Sequence, residues 1–213
     1  MSSDLVCTIC ETRVPAAPGS SWAAVDTCPG CMLRIRHRVL SAYLRLIDDP
    51  IATGRTYVCS ANGEEMRHLF GDAPDLTNFD VRPLGSASLQ MDIQDMSPVA
   101  DGSVDCFVAL HVLNHVADDE KALAEIARIL KPDGGVFLVM VPFRRGAATQ
   151  KLDDITVPYG ADALAQYGVG TYRRYGLDDF RKLLERFFVV SEFSFADPIV
   201  RAQDTVFQAR RLS

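Results

Sequence analysis

The 213-residue sequence has no run of about 18 consecutive apolar residues, so no segment would cross a membrane as a helix. Its first residues lack a basic stretch followed by an apolar core, and we therefore expect no secretion signal. A surplus of positive charge is also missing. The net charge of −6 argues against nucleic acid as a partner. These absences together predict a cytoplasmic protein.

The remaining composition is that of an ordinary globular domain. Hydrophobic residues make up 48% and charged residues 23% of the chain, which excludes disordered, collagen-like and coiled-coil classes. The length accommodates one full α/β domain with a small appendage. In a reducing compartment the six cysteines indicate metal binding rather than disulfides.

Four of these cysteines form a compact motif near the N-terminus: Cys7-x2-Cys10-x17-Cys28-x2-Cys31. Two residues between paired cysteines allow one tight turn to direct both sulfur atoms at one metal ion, and the 17-residue loop brings the second pair to the first. We predict a structural zinc ribbon with no open coordination position; a rubredoxin-like iron is the alternative. Cys59 and Cys106 lie in predicted strands and are expected to be buried core residues.

An amphipathic helix over residues 32–47 follows the ribbon, and Asp48-Asp49-Pro50 ends it. We place a domain boundary there, with the ribbon and its helix in residues 1–50 and the main domain in 51–213. The basic run Arg34–Arg38 predicts either a docking surface for a protein or nucleic acid, or a solvated helix face, which base rates favour.

After residue 50, strand and helix patterns alternate. Strands are predicted at Thr56–Cys59, Leu76–Val81, Ala87–Met91, Val104–Leu110 and Val136–Val141, and helices at Gly63–Phe70, from Asp118 to Lys131, and Asp178–Phe187. Val189–Phe195 and Thr205–Ala209 alternate in polarity and predict an antiparallel pair. The fold class is therefore α/β: a Rossmann-like, mostly parallel sheet with an antiparallel C-terminal strand pair, preceded by the ribbon and its helix.

The stretch from Asp92 to Val141 resembles the class I S-adenosylmethionine-dependent methyltransferases. The resemblance includes Asp92-Ile93, Asp101–Asp105, HVLNHV at His111–Val116 and RILKPDGG at Arg128–Gly135. The N-terminal part is similar to a subgroup with a four-cysteine zinc ribbon, through Cys28-Pro29-Gly30-Cys31 and Arg36–Leu40. Residues Gly168–Gly176 are similar to the segment before the last helix of that subgroup.

The resemblance implies S-adenosylmethionine as cofactor, bound beyond the carboxyl ends of the strands. The loop Ser60, Ala61, Asn62 and Gly63 would approach its methionine part. Asp80 would accept hydrogen bonds from the ribose hydroxyls. Asp92 would accept one from the adenine amine, with Ile93 beside the ring, and Leu110 and His111 would face the transferred methyl group. Taken by themselves, Asp80 and Asp92 also suit strand-end turns or helix caps.

Two departures from the family pattern stand out. CSANGEE at Cys59–Glu65 contains one glycine where most members have a glycine-rich run that lets the backbone approach the cofactor. The second departure is Asn114 in HVLNHV, where the family commonly has Glu. In the same motif His111 and His115 are four residues apart, but no third ligand accompanies them, so we do not expect a second metal site. His111 is predicted either as a general base or as a residue that orders the crevice.

The connection from about residue 143 to 176 is long, as binding loops often are. Its aromatic and basic residues suit a flat or anionic small molecule, and we assign the substrate contact to Tyr172, Arg173, Arg174 and Tyr175. A polar excursion is the alternative.

The predicted activity is methyl transfer from S-adenosylmethionine to an O or N atom of a small molecule, without membrane involvement. Two alternatives stay open. The first is a non-catalytic methyltransferase-like protein that binds a partner, for instance a protein, through its zinc ribbon. The second is a protein that keeps the cofactor without methyl transfer.

Overall fold

A computed structural model describes residues 5–14, 26–197 and 202–212. Its central feature is a seven-stranded sheet whose strands run along the chain as β3 (Arg55–Cys59), β4 (Asp75–Asp80), β5 (Leu89–Gln90), β6 (Cys106–Leu110), β7 (Val136–Met140), β11 (Phe188–Ala196) and β12 (Gln203–Arg211). In space their order is β11-β12-β7-β6-β3-β4-β5. The strands β3 to β7 are mutually parallel.

The C-terminal strands form the predicted antiparallel pair. β12 pairs antiparallel with both β11 and β7, and so closes one side of the parallel sheet. The predicted fold class is confirmed. The antiparallel arrangement follows from the short connection between β11 and β12, since a parallel crossover needs about a dozen residues or more.

Helices cover both faces of the sheet. They are α1 (Ile35–Leu44), α2 (Pro50–Thr53), α3 (Gly63–Leu69), α4 (Asp119–Ile129), α5 (Ala161–Tyr167) and α6 (Leu177–Glu185). Side chains of α4 and α6 pack on one face around Phe107 and Phe137. Side chains of α1 pack on the other face with Val108, Leu138 and Val206. Both faces of β6 and β7 are therefore buried, which explains their almost continuous apolar sequence. Among the described residues, every helix is too short or too polar to cross a bilayer.

The N-terminal segment contains a two-stranded antiparallel hairpin, β1 (Leu5–Val6) and β2 (Arg13–Val14). The first cysteine pair lies between these two strands. The helix α1 follows the second cysteine pair; it begins three residues later than predicted and ends at Leu44. Asp49 does not simply stop this helix. Its carboxylate accepts a hydrogen bond from the Ile51 N–H, and Pro50 occupies the first position of α2. An Asp-Pro pair can thus begin a helix as well as end one.

The connection after β7 is a small subdomain rather than an irregular excursion. β8 (Phe143–Arg144), β9 (Gln150–Thr156) and β10 (Thr171–Gly176) form a three-stranded sheet in the order β8-β10-β9, and α5 lies between β9 and β10 in the chain. Gly176 is required at its end, because a Cβ there would lie 1.9 Å from the Ala147 carbonyl oxygen.

The basic run at the start of α1 is not a solvated face. His37 and Arg38 are both 1% exposed. The Arg38 guanidinium donates hydrogen bonds to the Asp197 carboxylate and to the Leu33 and Asp26 carbonyl oxygens. A buried arginine needs such partners, so this residue joins the ribbon to the end of β11. The favoured sequence interpretation of a solvated face is wrong for these two residues.

Candidate functional site

A cavity of about 510 Å³ opens at the carboxyl ends of β3, β4 and β6. In the sheet, β4 lies on one side of β3 and β6 lies on the other side. The order of strands along the sheet therefore reverses at β3. Open α/β sheets bind ligands at such a reversal. The volume falls within the range of small-molecule sites.

The structure brings most of the residues assigned to the cofactor to this cavity. Those that line it are Ser60, Asn62, Asp80, Asp92, Ile93 and Leu110, together with His111. Ala61 and Gly63 do not line it. Ala61 is buried beneath the loop, with its N–H bonded to the Asn78 side chain at 3.1 Å, and Gly63 is the first residue of α3.

Asp80 ends β4 with a carboxylate that is almost completely buried. Arg82 holds it in a bidentate pair, with both nitrogen–oxygen distances at 3.0 Å, and the Ser60 hydroxyl donates to it from the neighbouring strand end. The hydrogen bonds to Asp80 raise the pKa of Arg82 above its ordinary value. Arg82 and Ser60 therefore hold the Asp80 carboxylate in one position at the cavity wall. Arg82 was not identified from the sequence.

Asp92 and Ile93 form the adjacent part of the wall. Asp92 accepts hydrogen bonds from the Gln94 N–H at 2.8 Å and from the Gln94 side-chain amide at 3.1 Å. These contacts make a tight turn after β5 and hold the Asp92 carboxylate in place. Ile93 is buried beside it and presents an apolar edge to the cavity. A planar ring with one amino group suits this combination.

The ribbon segment also contributes to the cavity, through Met32, Arg34 and Arg36. The guanidinium of Arg36 donates to the Glu65 carboxylate at 3.2 Å. Glu65 in turn accepts a hydrogen bond from the Asn62 N–H at 2.8 Å. The start of α1 is thereby joined to the loop after β3, which no local sequence pattern indicated.

His37 completes this junction. Its Nδ1 accepts a hydrogen bond from the Arg34 N–H at 2.8 Å, and its Nε2 lies against the same Glu65 carboxylate. Burial lowers the pKa of His37, so the imidazole is neutral and its proton sits on Nε2. For Glu65, burial acts to raise the pKa. The contact with His37 and the bonds from Asn62 and Arg36 act in the opposite direction and lower it. Glu65 is therefore an ionised carboxylate in the cavity wall.

His111 lies at the end of β6 with a left-handed backbone, φ 59°, which is uncommon for a residue other than glycine. Its Nε2 is buried and has no hydrogen-bond partner among the residues that the structure describes. Burial, with the charges of Arg36 and Arg34, lowers the pKa of His111 to about 3. The ring is thus neutral at physiological pH, and it belongs to a residue that lines the cavity.

His115 is oriented differently. Its Nδ1 lies 3.2 Å from the Gly170 carbonyl oxygen, and its ring packs edge-on against Tyr159. Across residues 5–14, 26–197 and 202–212, the four cysteines are the one group of three or more potential metal ligands that lie close together.

The connection after β7 reaches the cavity through residues other than the four predicted ones. Its contribution consists of Tyr159, Tyr167, Gly168 and Val169. Tyr159 also packs beneath the Arg82 guanidinium, 4.5 Å from the ring centre. Aromatic residues of this segment reach the cavity as expected, but they are Tyr159 and Tyr167 rather than Tyr172 and Tyr175.

Tyr172, Arg173, Arg174 and Tyr175 do not line the cavity. Arg173 is buried and donates to the Leu113 and Ala117 carbonyl oxygens, and it pairs with Asp119 at 3.0 Å. The Tyr175 hydroxyl donates to the same carboxylate at 2.7 Å. Tyr172 bonds to the Gly168 carbonyl oxygen and Arg174 is exposed. These contacts hold the small sheet against the start of α4. The assignment of these four residues to the substrate is therefore corrected.

The four N-terminal cysteines converge as the motif requires. Their sulfur atoms all lie within 4.8 Å of one another, with 4.0 Å between Cys7 and Cys31 and 3.5 Å between Cys10 and Cys28. A tetrahedral zinc site with Zn–S bonds of about 2.3 Å places its sulfur atoms about 3.8 Å apart. The donor set therefore fits a structural zinc ion.

Two equivalent turns build this cluster. In each, the N–H of the residue after the second cysteine bonds to the carbonyl oxygen of the first: Glu11 to Cys7 at 3.0 Å and Met32 to Cys28 at 2.8 Å. Both Glu11 and Met32 adopt a left-handed backbone. Gly30 is required within the second turn, because a Cβ there would lie 1.9 Å from the Thr12 hydroxyl oxygen.

With this geometry established, comparison with known proteins defines the fold. Residues 60–138 match a family model described as a methyltransferase domain. The predicted resemblance to class I S-adenosylmethionine-dependent methyltransferases is confirmed. The matched range includes the loop after β3, Asp80, Asp92 and His111, and therefore most of the cavity wall.

Solved structures share the fold of this chain. The *Burkholderia thailandensis* enzyme 1,6-didemethyltoxoflavin-N1-methyltransferase, solved with S-adenosylhomocysteine, has a TM-score of 0.57 at 15% identity, over 84% of this chain and 77% of that one. The geranyl diphosphate C-methyltransferase of *Streptomyces coelicolor*, also solved with S-adenosylhomocysteine, has a TM-score of 0.55 at 13% identity, over 83% and 82%. At these identities the likeness concerns the fold.

Two further matches are of different kinds. A chain from a complex that contains the *Haloferax volcanii* Trm112 methyltransferase activator has a TM-score of 0.58 at 20% identity, over 90% of this chain and 95% of that one. An uncharacterized 37.1 kDa protein in transposon TN4556 of *Streptomyces fradiae* is 54% identical over 37 residues, which is 17% of this chain. The chain matches 11% of the length of this curated relative.

Proposed function

We propose that this protein transfers a methyl group from S-adenosylmethionine to an O or N atom of a small molecule. The observation that carries the proposal is the cavity at the strand reversal, whose walls combine the Asp80 and Asp92 carboxylates with His111. The cofactor supplies an activated methyl group on its sulfonium, so the protein contributes mainly by binding and orientation.

The residues present fit this cofactor. Asp80 would accept hydrogen bonds from the ribose hydroxyls, with Ser60 and Arg82 holding the carboxylate in position. Asp92 would accept one from the adenine amine while Ile93 packs beside the ring. Leu110 and His111 line the same cavity, and an acceptor would meet the methyl group beside them.

His111 bears on the acceptor atom. An unpaired, neutral imidazole nitrogen can accept a hydrogen bond from a hydroxyl or an amine, but gains little from a carbon acceptor. This favours an O or N atom, although the solved structures that share the fold include C-methyltransferases. A pKa of about 3 makes His111 a weak base, so it supports an orienting role more than storage of the released proton.

The four-cysteine cluster is proposed to bind one structural zinc ion. Thiolate ligands require reduced cysteines, which is consistent with a cytoplasmic protein. The ribbon and α1 (residues 1–50) would then form one domain and residues 51–213 a second, even though α1 packs on the central sheet.

Titration of S-adenosylhomocysteine into the zinc-loaded full chain, followed by calorimetry, tests the cofactor assignment. We expect a dissociation constant in the low micromolar range, about −8 kcal/mol in binding free energy. Asp80→Asn should weaken binding roughly tenfold, since it removes a charged acceptor. Asp75→Asn, at the exposed start of the same strand, is the matched control and should bind within about twofold of wild type.

The methylated atom is tested with S-adenosylmethionine that carries an isotopically labelled methyl group, offered with mixtures of small hydroxyl, amine and carbon acceptors. Mass spectrometry of the labelled product should locate the label on oxygen or nitrogen. Label on carbon would contradict the atom assignment, whereas lack of S-adenosylhomocysteine binding would contradict the function itself.

A further inference from the structure

The loop after β3 has almost no free backbone donors. The Ser60 N–H bonds to the Phe79 carbonyl oxygen, and the Ala61 N–H to the Asn78 side chain. Farther along, the Asn62 N–H bonds to Glu65, and the N–H groups of Glu64 and Glu65 both bond to the Asn62 side chain. The loop therefore cannot hold an anionic group through its backbone in the way that a glycine-rich loop does.

Side chains of the ribbon segment supply unpaired donors at the same place. Arg36 lines the cavity; one of its terminal nitrogens donates to Glu65, while its buried Nε has no hydrogen-bond partner within the described part of the chain. Arg34 also lines the cavity, and no carboxylate pairs with it among the residues that the structure describes. Arg82 differs, because Asp80 engages its guanidinium at two points. The available positive charge thus lies on the ribbon side.

We propose that Arg36 and Arg34 of the ribbon segment bind the carboxylate of the cofactor's methionine part, and that Glu65 binds its ammonium group. This inference rests on the proposed function. It means that the ribbon completes the cofactor site and takes the place of the missing glycine-rich loop.

The position of this pair agrees with the orientation of the cofactor. With the ribose at Asp80 and the adenine at Asp92, the methionine part lies toward the loop after β3. Arg36 contacts Glu65, and Glu65 contacts the Asn62 backbone in that loop. An amino acid group carries one positive and one negative charge, and the adjacent guanidinium and carboxylate match both.

Glu65 is suited to an ammonium group because it is ionised and lines the cavity. Its contacts with His37, Asn62 and Arg36 hold it in a single position. These three contacts come from two elements, α1 and the loop before α3. The inferred pair of sites is therefore formed only when the ribbon segment is in place against the main domain.

Two ligands allow the contribution of the amino acid group to binding affinity to be measured separately from that of the adenosine. S-adenosylhomocysteine has the full amino acid group, whereas 5′-methylthioadenosine keeps the adenosine and the thioether but lacks it. We expect wild type to bind the first at least tenfold more tightly. Arg36→Gln should lower affinity for S-adenosylhomocysteine by about 10- to 100-fold, as expected for a lost charged hydrogen bond. It should change affinity for 5′-methylthioadenosine by no more than about twofold.

Further variants guard against a simple folding defect. Arg34→Gln removes an exposed guanidinium that no carboxylate of the described residues contacts, and should reduce affinity for S-adenosylhomocysteine alone by a smaller factor of about three to ten. Arg36→Lys keeps the charge and should recover part of the loss. Arg67→Gln, on the exposed side of α3 and paired with Glu64, is the matched control and should bind like wild type.

The outcomes distinguish this inference from the proposed function. If wild type binds both ligands equally well, or if Arg36→Gln and Arg34→Gln weaken both ligands alike, the inference is overturned while cofactor binding stands. If wild type binds neither ligand, the proposed function fails. Selective loss of S-adenosylhomocysteine binding in the Arg34 and Arg36 variants supports both.

Discussion

The ribbon and the central sheet are stabilised by different means. Among the residues that the structure describes, the buried apolar group around the cysteine cluster consists of Cys7, Cys28, Cys31 and Leu33, whereas one face of the sheet alone buries 27 in a continuous cluster. Because this described group is small, we expect the stability of the ribbon to depend on its metal. The sheet has a large apolar core, and its stability should not depend on the metal. The cavity lies between these two regions, so some of its residues are held by the ribbon and others by the core of the sheet.

Removal of the metal should have the largest effect, and it should affect one region only. Structural zinc contributes roughly 10–16 kcal/mol of apparent binding free energy in small ribbons. After chelation, the amides of the two cysteine turns should lose protection from hydrogen exchange, while amides in β6 and β7 keep theirs. Elemental analysis should give one zinc per chain before treatment. Equal protection in the ribbon with and without metal would contradict this contrast.

Core truncation should show the converse. Leu123 is completely buried in the large cluster, and Leu123→Ala should lower the free energy of unfolding of the main domain by about 3 kcal/mol through the cavity it leaves. Leu33→Ala removes the same atoms from the ribbon cluster. It should increase hydrogen exchange in the ribbon with little change in the main thermal transition. A comparable drop in that transition for both variants would show that the two regions unfold as one.

The pH dependence tests the boundary between the regions, where His111 faces Arg34, Arg36, His37 and His115. Its pKa is about 3 in the folded protein and near 6.5 in the unfolded chain, so the unfolded state binds more protons on acidification. The contribution of His111 to stability is complete above pH 6.5 and is lost as the pH falls toward 3. At pH 5 the loss should be about 2 kcal/mol.

His111→Asn is the variant for this measurement, because asparagine tolerates the left-handed backbone and does not titrate. Urea unfolding at pH 7 and pH 5 should show a smaller loss of stability for the variant than for wild type. His37 and His115, whose pKa values are also lowered by burial, contribute equally to both proteins and cancel. The same pH dependence in both would exclude a strongly lowered pKa at His111.

Sequence patterns predicted the sheet well because both faces of its central strands are buried. Continuous apolar runs at β6 and β7, the Asp118 cap of α4 and the glycine turn before β7 are local signals, and each one appears in the structure close to its predicted place. The cysteine cluster was predictable for the same reason, since its geometry is encoded in the spacing within and between two short turns.

The site was predictable only where it follows the strand ends. Asp80, Asp92 and His111 come directly after strands, so the topology alone brings them together. Arg36 and Glu65 meet across elements that are 29 residues apart, and Glu65 has the local signature of a helix cap. Arg173 and Tyr175 have the residue types of a binding site, but their partner is Asp119, 54 and 56 residues away in the chain. Residue type does not reveal which of these contacts forms.

The most direct test of a cofactor site shared by the two regions is calorimetric titration of S-adenosylhomocysteine into the same preparation before and after metal removal, with 5′-methylthioadenosine in parallel. We predict low-micromolar binding of S-adenosylhomocysteine to the metal-loaded chain and at least tenfold weaker binding after the metal is removed. The change for 5′-methylthioadenosine should be much smaller. Absence of S-adenosylhomocysteine binding to the metal-loaded chain, or identical binding with and without metal, would contradict a shared cofactor site.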